Sequence, residues 1–374
     1  MKIIIVGTSH PYRGGIAAFT DRLATEFAKE SVDIEVVTFR LQYPSLLFPG
    51  KTQYSDAKAP EGFIVERKVN SINPLNWIMV GKEIRKKNPD IVIFTYWMSF
   101  FAPCFSKTAK IVKKNRHTKC IGLIHNMIPH EKSVLDKIFA PRFVKAMDGF
   151  VTLSKSVLDD VKSLDNQNKP KCFVPHPLYD HFGEILDRKE AKKHLGLDEN
   201  CRYMLFFGLV RAYKGLDLLL DAFADERLRN HHVKLLIAGE FYDDPKPYHE
   251  QMEKHGLRDL VIIKNQYIID DEVKYYFNAA DIVVQPYKSA TQSGVTQIAY
   301  HFEKPILVTN VGGLGEIIPN GKVGYVVEPN PSSIADALVD FYENERYNTF
   351  VEGVKEEKTK YQWSNMTAAI KNML

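Results

Sequence analysis

The sequence is poor in cysteine. Its four, Cys104, Cys120, Cys172 and Cys201, stand singly along 374 residues with no CxxC pair. That excludes a zinc ribbon or a disulfide framework and fits a reducing, cytosolic setting. Long apolar runs are also lacking. The longest uncharged stretch, residues 91–106, is 16 residues and contains Thr95, Ser99 and Pro103. A spanning helix needs about 20 apolar residues, so none is expected. The opening residues 1–7 carry no apolar stretch of signal-peptide length and read as a first buried strand. Charge of one sign is not in excess: 50 Lys+Arg against 46 Asp+Glu leave +4, too even to argue for nucleic acid as a partner. GxGxxG, GxxxxGK[ST] and GxSxG are all missing, as is any His/Cys/Asp/Glu set at metal spacing. These absences weaken dehydrogenase, P-loop, hydrolase and metal-centre readings.

What is present is an ordinary globular balance, 45% hydrophobic and 26% charged, over a length that suits two domains. The charge is uneven along the chain. Residues 1–175 carry a net +11 and the remainder −7. Basic residues gather at Arg85-Lys86-Lys87, at Lys107, Lys110, Lys113, Lys114 and Arg116, and at Lys132, Lys137, Arg142 and Lys145. Either these are solvated helix faces or they meet anionic lipid headgroups, where each contributes about 1 kcal/mol. An apolar loop at residues 43–50 lies in the same half.

Short apolar runs alternate with amphipathic stretches of helix length. Strands are expected at 2–6, 34–38, 63–66, 91–94, 119–124 and 149–153, and again at 203–207, 233–237, 260–263, 282–285, 306–309 and 324–327. Runs that do not alternate are buried on both faces, as in parallel sheets. The fold expected is α/β: two Rossmann-like, doubly wound parallel-sheet domains facing across a cleft. The first spans 1–178 and the second 179–359, with a final helix at about 360–374 crossing back to the first. Ligands in such sheets bind beyond the carboxyl ends of the strands.

Four loops at such ends carry chemistry. Gly14 and Gly15 precede a helix start, where backbone N–H groups favour anions. Gly208 begins a loop bearing Arg211 and Lys214, two cations that suit a diphosphate. Residues 285–295 end in Gln292, Ser293, Gly294 and Val295, with Ser293 as a helix cap. Residues 310–316 hold three glycines and Glu316. His125 and Asn126 follow the strand 119–124, and His130-Glu131 lies just beyond.

The stretches 207–223, 237–240 and 275–287, the helix start at 293–295 and the Gly312-Gly313-Leu314-Gly315-Glu316 turn resemble the family-4 retaining glycosyltransferases of GT-B fold. The resemblance runs over nearly the whole chain. It implies a nucleoside-diphosphate-sugar donor held mainly by the second domain, with Arg211 and Lys214 neutralising the departing diphosphate. Ser293–Val295 would add N–H donors, and the backbone at Tyr267 and Ile268 would meet the base. His125 matches the family's cleft histidine, and Gly14-Gly15 its acceptor-side loop. No metal or other cofactor is implied. The acceptor would be a glycan or lipid-linked sugar of a surface polysaccharide, at the inner face of a membrane. Two departures stand out. The family's paired Glu positions hold Ala290 and Ile298, and its Arg after the strand-end glycine is Leu209, with Arg211 two residues on. The alternatives are a sugar-nucleotide epimerase on the same fold and a non-catalytic binder of nucleotide sugars or glycans.

Overall fold

The computed structural model describes residues 1–44, 53–54, 58–127, 134–290 and 293–374, the side chains of 134–136 excepted. Residues 45–50 of the apolar loop, Lys132, His130-Glu131, and Gln292 with its neighbour Thr291, lie outside the described residues. The chain divides into two units, Met1–His176 with Gln362–Leu374, and Pro177–Tyr361.

In the first unit the apolar runs become β1 (Lys2–Val6), β2 (Asp33–Leu41), β3 (Ile64–Asn70), β4 (Ile91–Tyr96), β5 (Lys119–Ile124), β6 (Gly149–Thr152) and β7 (Lys171–Phe173). They pair in parallel in the order β3-β2-β1-β4-β5-β6-β7. Alternate side chains serve opposite faces. Ile4, Val6 and Phe94 pack with the helices Pro74–Lys87, Ala102–Val112 and Val134–Ala146. Ile3, Ile5 and Ile93 pack with Phe19, Leu23 and Phe27 of the helix Gly15–Lys29 and with Trp363, Met366 and Ile370 of the helix Trp363–Lys371. Each such side chain contributes about 1.5–3 kcal/mol on burial.

The second unit repeats the plan with β8 (Arg202–Phe207), β9 (Val233–Ala238), β10 (Val261–Lys264), β11 (Ile282–Gln285), β12 (Ile306–Thr309) and β13 (Gly324–Val327). Their order is β10-β9-β8-β11-β12-β13, again parallel. In both sheets the first strand lies inside, so connections leave it in opposite directions. The crevice this opens lies beyond the carboxyl ends of β1 and β4 in one unit and of β8 and β11 in the other.

The elements differ from expectation at the sheet edges. β3 runs on past Glu66, the expected end, through Arg67 and Lys68 to Asn70, where the apolar pattern has stopped. Glu66 pairs with both Lys68 and Lys87 at 2.9 Å, and the Arg67 guanidinium lies over the Tyr54 ring at 5.2 Å. β7 is a three-residue edge strand, half-buried throughout, too short for a periodic signal.

Candidate functional site

The second unit's crevice is built around Gly208, which follows β8 with a left-handed φ of 95°. A Cβ there would sit 3.2 Å from Lys214 Nζ and 3.9 Å from Val295 Cγ2. The structure therefore gathers Gly208, Lys214 and Val295 at one point. Lys214 ends a short 3-10 turn, Ala212–Lys214. Gly215 follows with φ 68°, and a Cβ on it would overlap the Pro286 carbonyl. Only glycine allows this approach, which locks the loop after β8 to the loop after β11.

Lys214 has no acidic partner within ion-pair distance among the described residues. Its Nζ stands 5.6 Å from the ring centroid of Tyr287. Burial, and then the charge of Arg211, push its pKa down to about 8. A buried cation without a carboxylate is costly, and an incoming anion relieves that cost. Arg211 repeats the pattern: its Nε is buried with no partner among the described residues.

Ser293 occupies the N-cap of the helix Gly294–His301, as expected, but its side chain makes no cap hydrogen bond. Its Oγ instead lies 3.3 Å from the Tyr287 hydroxyl. Tyr287 is buried, its pKa is pushed up to about 12 by that burial, and its carbonyl accepts from Thr309 Oγ1 at 2.5 Å. The Ser293 side chain thus leaves the first N–H groups of this helix uncapped, beside the two cations. Gly294 lies against the Tyr179 ring, where a Cβ would be 3.1 Å from Cε2. Ile298, one turn on from Val295, is buried and apolar.

The other residues of the second unit sit further out. Tyr267, after β10, is 71% exposed, while Ile268 packs into the core. Glu316 is exposed on the 3-10 turn Gly315–Ile317 after β12. Tyr287 and Tyr242 carry no role in the sequence reading. Tyr287 stands two residues after the end of β11, a signal that marks it. Tyr242 is placed by a ladder between distant segments and has no local signature.

In the first unit, His125 and Asn126 follow β5. The His125 N–H donates to Tyr96 O at 2.8 Å, and Asn126 is exposed. The His125 ring meets Phe19 edge-on at 4.8 Å, and its Nε2 is buried with no partner among the described residues. Burial, and then His176, hold it neutral, with its pKa lowered to about 3. Phe19 also packs on His176 at 5.1 Å and on Trp363 at 5.0 Å. Gly14 and Gly15 are exposed, and the helix Gly15–Lys29 has no side-chain cap. Among the described residues, no group of three His, Cys, Asp or Glu side chains is placed to hold a metal ion. No described helix is long and apolar enough to cross a membrane.

Two family models match the chain: "Glycosyltransferase Family 4" over residues 13–178 and "Glycosyl transferases group 1" over residues 187–357. An uncharacterized glycosyltransferase of Methanocaldococcus jannaschii is 24% identical, covering 100% of this chain and 97% of that protein. A D-inositol 3-phosphate glycosyltransferase of Streptomyces avermitilis is 23% identical, covering 88% of this chain and 75% of that protein. Among solved structures, Anabaena HepE in complex with UDP superposes with a TM-score of 0.72 at 14% identity, covering 100% of this chain and 99% of that one. The lipopolysaccharide outer core galactosyltransferase WaaB gives the same score and identity, covering both chains fully. These likenesses, with the two parallel sheets, establish the GT-B fold.

Proposed function

The chain belongs to the group 1 glycosyltransferases, and we propose that it moves a sugar from a nucleoside-diphosphate donor to a glycan or lipid-linked acceptor. The observation that carries this reading is the pair of cations, Arg211 and Lys214, held without carboxylate partners among the described residues at the carboxyl edge of β8. As the bond from the anomeric carbon to the diphosphate oxygen breaks, negative charge grows on the leaving group. Lys214, Arg211 and the N–H groups after Ser293 stabilise that charge without reorganising. The acceptor oxygen forms the new bond, and its proton passes to a phosphate oxygen. Attack on the leaving-group face keeps the anomeric configuration. The chain's own cations take the part a metal plays elsewhere. The complexes of Anabaena HepE with UDP and with UDP-glucose support a nucleotide-sugar donor. WaaB supports an acceptor in surface glycolipid or polysaccharide synthesis.

The proposal includes peripheral docking on an anionic membrane at its cytoplasmic face. Leu75, Met79, Lys82 and Lys86 follow helical spacing on one exposed face of Pro74–Lys87. Leu75 is 72% and Met79 68% exposed. Two apolar side chains followed by two lysines match the interfacial order of acyl chain and anionic headgroup.

A panel of labelled nucleoside-diphosphate sugars, offered with a membrane lipid extract, tests the reading. Transfer or hydrolysis by the wild type, lost on Lys214→Ala, is expected. A wild type that binds donors but never releases nucleoside diphosphate would favour a non-catalytic binder, which the apolar Ala290 and Ile298 already make the second reading.

A further inference from the structure

Arg211 lies two residues beyond Leu209, where the family resemblance implies an arginine, and the backbone puts the two positions on one side. The β8–β9 ladder continues beyond both strands. Gly208 N–H donates to Ala238 O at 2.9 Å, Val210 N–H to Glu240 O at 2.8 Å, and Tyr242 N–H to Val210 O at 3.0 Å. Phe241 N–H donates to Asn265 Oδ1 at 3.1 Å, which fixes the second segment from its other side. Extended backbone alternates its side chains. Val210 is buried, so Leu209 and Arg211 share the opposite side, and a shift of two residues restores the face.

The same extension brings Tyr242 under Arg211. The guanidinium carbon lies 4.0 Å from the ring centroid, and Tyr242 is 65% exposed. We propose that Tyr242 is a positioning residue, whose ring face holds the Arg211 guanidinium while leaving its charge and its in-plane N–H donors for a diphosphate. A carboxylate would grip the arginine more firmly, but it would occupy those donors and cancel the charge. A ring takes the planar face alone. The inference rests on the donor-site reading above.

Calorimetric titration with inorganic pyrophosphate tests it, using the full chain as wild type, Tyr242→Phe, Tyr242→Leu, Arg211→Gln and the Tyr242→Leu/Arg211→Gln double variant. Tyr242→Phe is expected to bind like wild type. Tyr242→Leu is expected to bind about two- to fivefold more weakly, the range of an exposed cation–π pair. In the Arg211→Gln background, Tyr242→Leu should have no further effect, because the two residues act as one unit. A Tyr242→Leu variant with wild-type affinity overturns the proposal. So does a loss that persists in the Arg211→Gln background, or a Tyr242→Phe variant as weak as Tyr242→Leu. If the wild type binds pyrophosphate and only these comparisons fail, the positioning role alone falls. If the wild type binds none, the donor-site reading falls and this inference with it.

Discussion

The two units share one strand plan, with the first strand inside and the neighbouring connections leaving on opposite sides. Their crevices are nonetheless lined by opposite chemistry. In the second unit the edge beyond β8 and β11 carries Arg211 and Lys214 and an uncapped helix start. In the first unit, Phe19 gathers His125, His176 and Trp363, and His125 is held neutral. A shared topology therefore fixes where the crevice lies, while a handful of loop side chains decides its charge. One crevice suits an anion, and the other holds a neutral imidazole against apolar rings.

Four substitutions or conditions sharpen that contrast, taken from the largest expected effect downward. Phe19 is 1% exposed. Phe19→Ala should lower the unfolding free energy by about 3–5 kcal/mol, read by denaturant titration. It should also let the His125 pKa rise toward its ordinary value, read by NMR, because burial is the main cause of its depression. A His125 pKa unchanged by that cavity would mean that Phe19 does not shield it.

Lys214→Ala should leave the fold intact and reduce transfer by about 100- to 1000-fold, the scale of losing one preorganised charge-stabilising group. A single-turnover rate within a factor of two of wild type would remove Lys214 from the mechanism.

The third concerns pH. Burial holds the Lys214 pKa down to about 8, below the ordinary lysine value of 10.5. Between those values the unfolded chain binds more protons, so its contribution to stability rises with pH through that window. Anion binding has the opposite sign, because only the protonated amine attracts a diphosphate. Affinity should fall by up to about tenfold per pH unit above pH 8. Lys214→Arg should flatten that slope, since a guanidinium stays charged there. A slope that survives in Lys214→Arg would assign the titration elsewhere.

The smallest effect belongs to the first unit's surface. Leu75→Ser/Met79→Ser should weaken binding to anionic vesicles several-fold, and added salt should weaken it further through Lys82 and Lys86. Equal binding to neutral and anionic vesicles would contradict an electrostatic contact.

The sheets were legible because buried parallel strands read as unbroken apolar runs. Residues 2–6, 119–124, 282–285, 306–309 and 324–327 were expected as strands and are β1, β5, β11, β12 and β13. The expected strand at 63–66 stops short of the end of β3 because Arg67 and Lys68 interrupt the apolar pattern, and the pairing of Glu66 with Lys87 depends on how the following helix packs back on the strand. In the second unit, Gly208, Lys214 and Val295 were each marked by a strand end or a helix start. Their convergence is visible only once the glycines at 208 and 215 let the loops close on one another. Ser293 was read as a cap from its residue type, yet its hydroxyl turns to Tyr287, a choice that tertiary packing makes. Tyr242 left no trace, since its stacking on Arg211 depends on a ladder between segments some thirty residues apart.

The most direct measurement compares two ligands by calorimetry. One is the nucleoside diphosphate that most raises the melting temperature of the wild type, and the other is its parent nucleoside. Arg211→Gln/Lys214→Gln should lose most of the affinity for the diphosphate and keep that for the nucleoside. Equal affinity of wild type and variant for the diphosphate would contradict a crevice built to neutralise it.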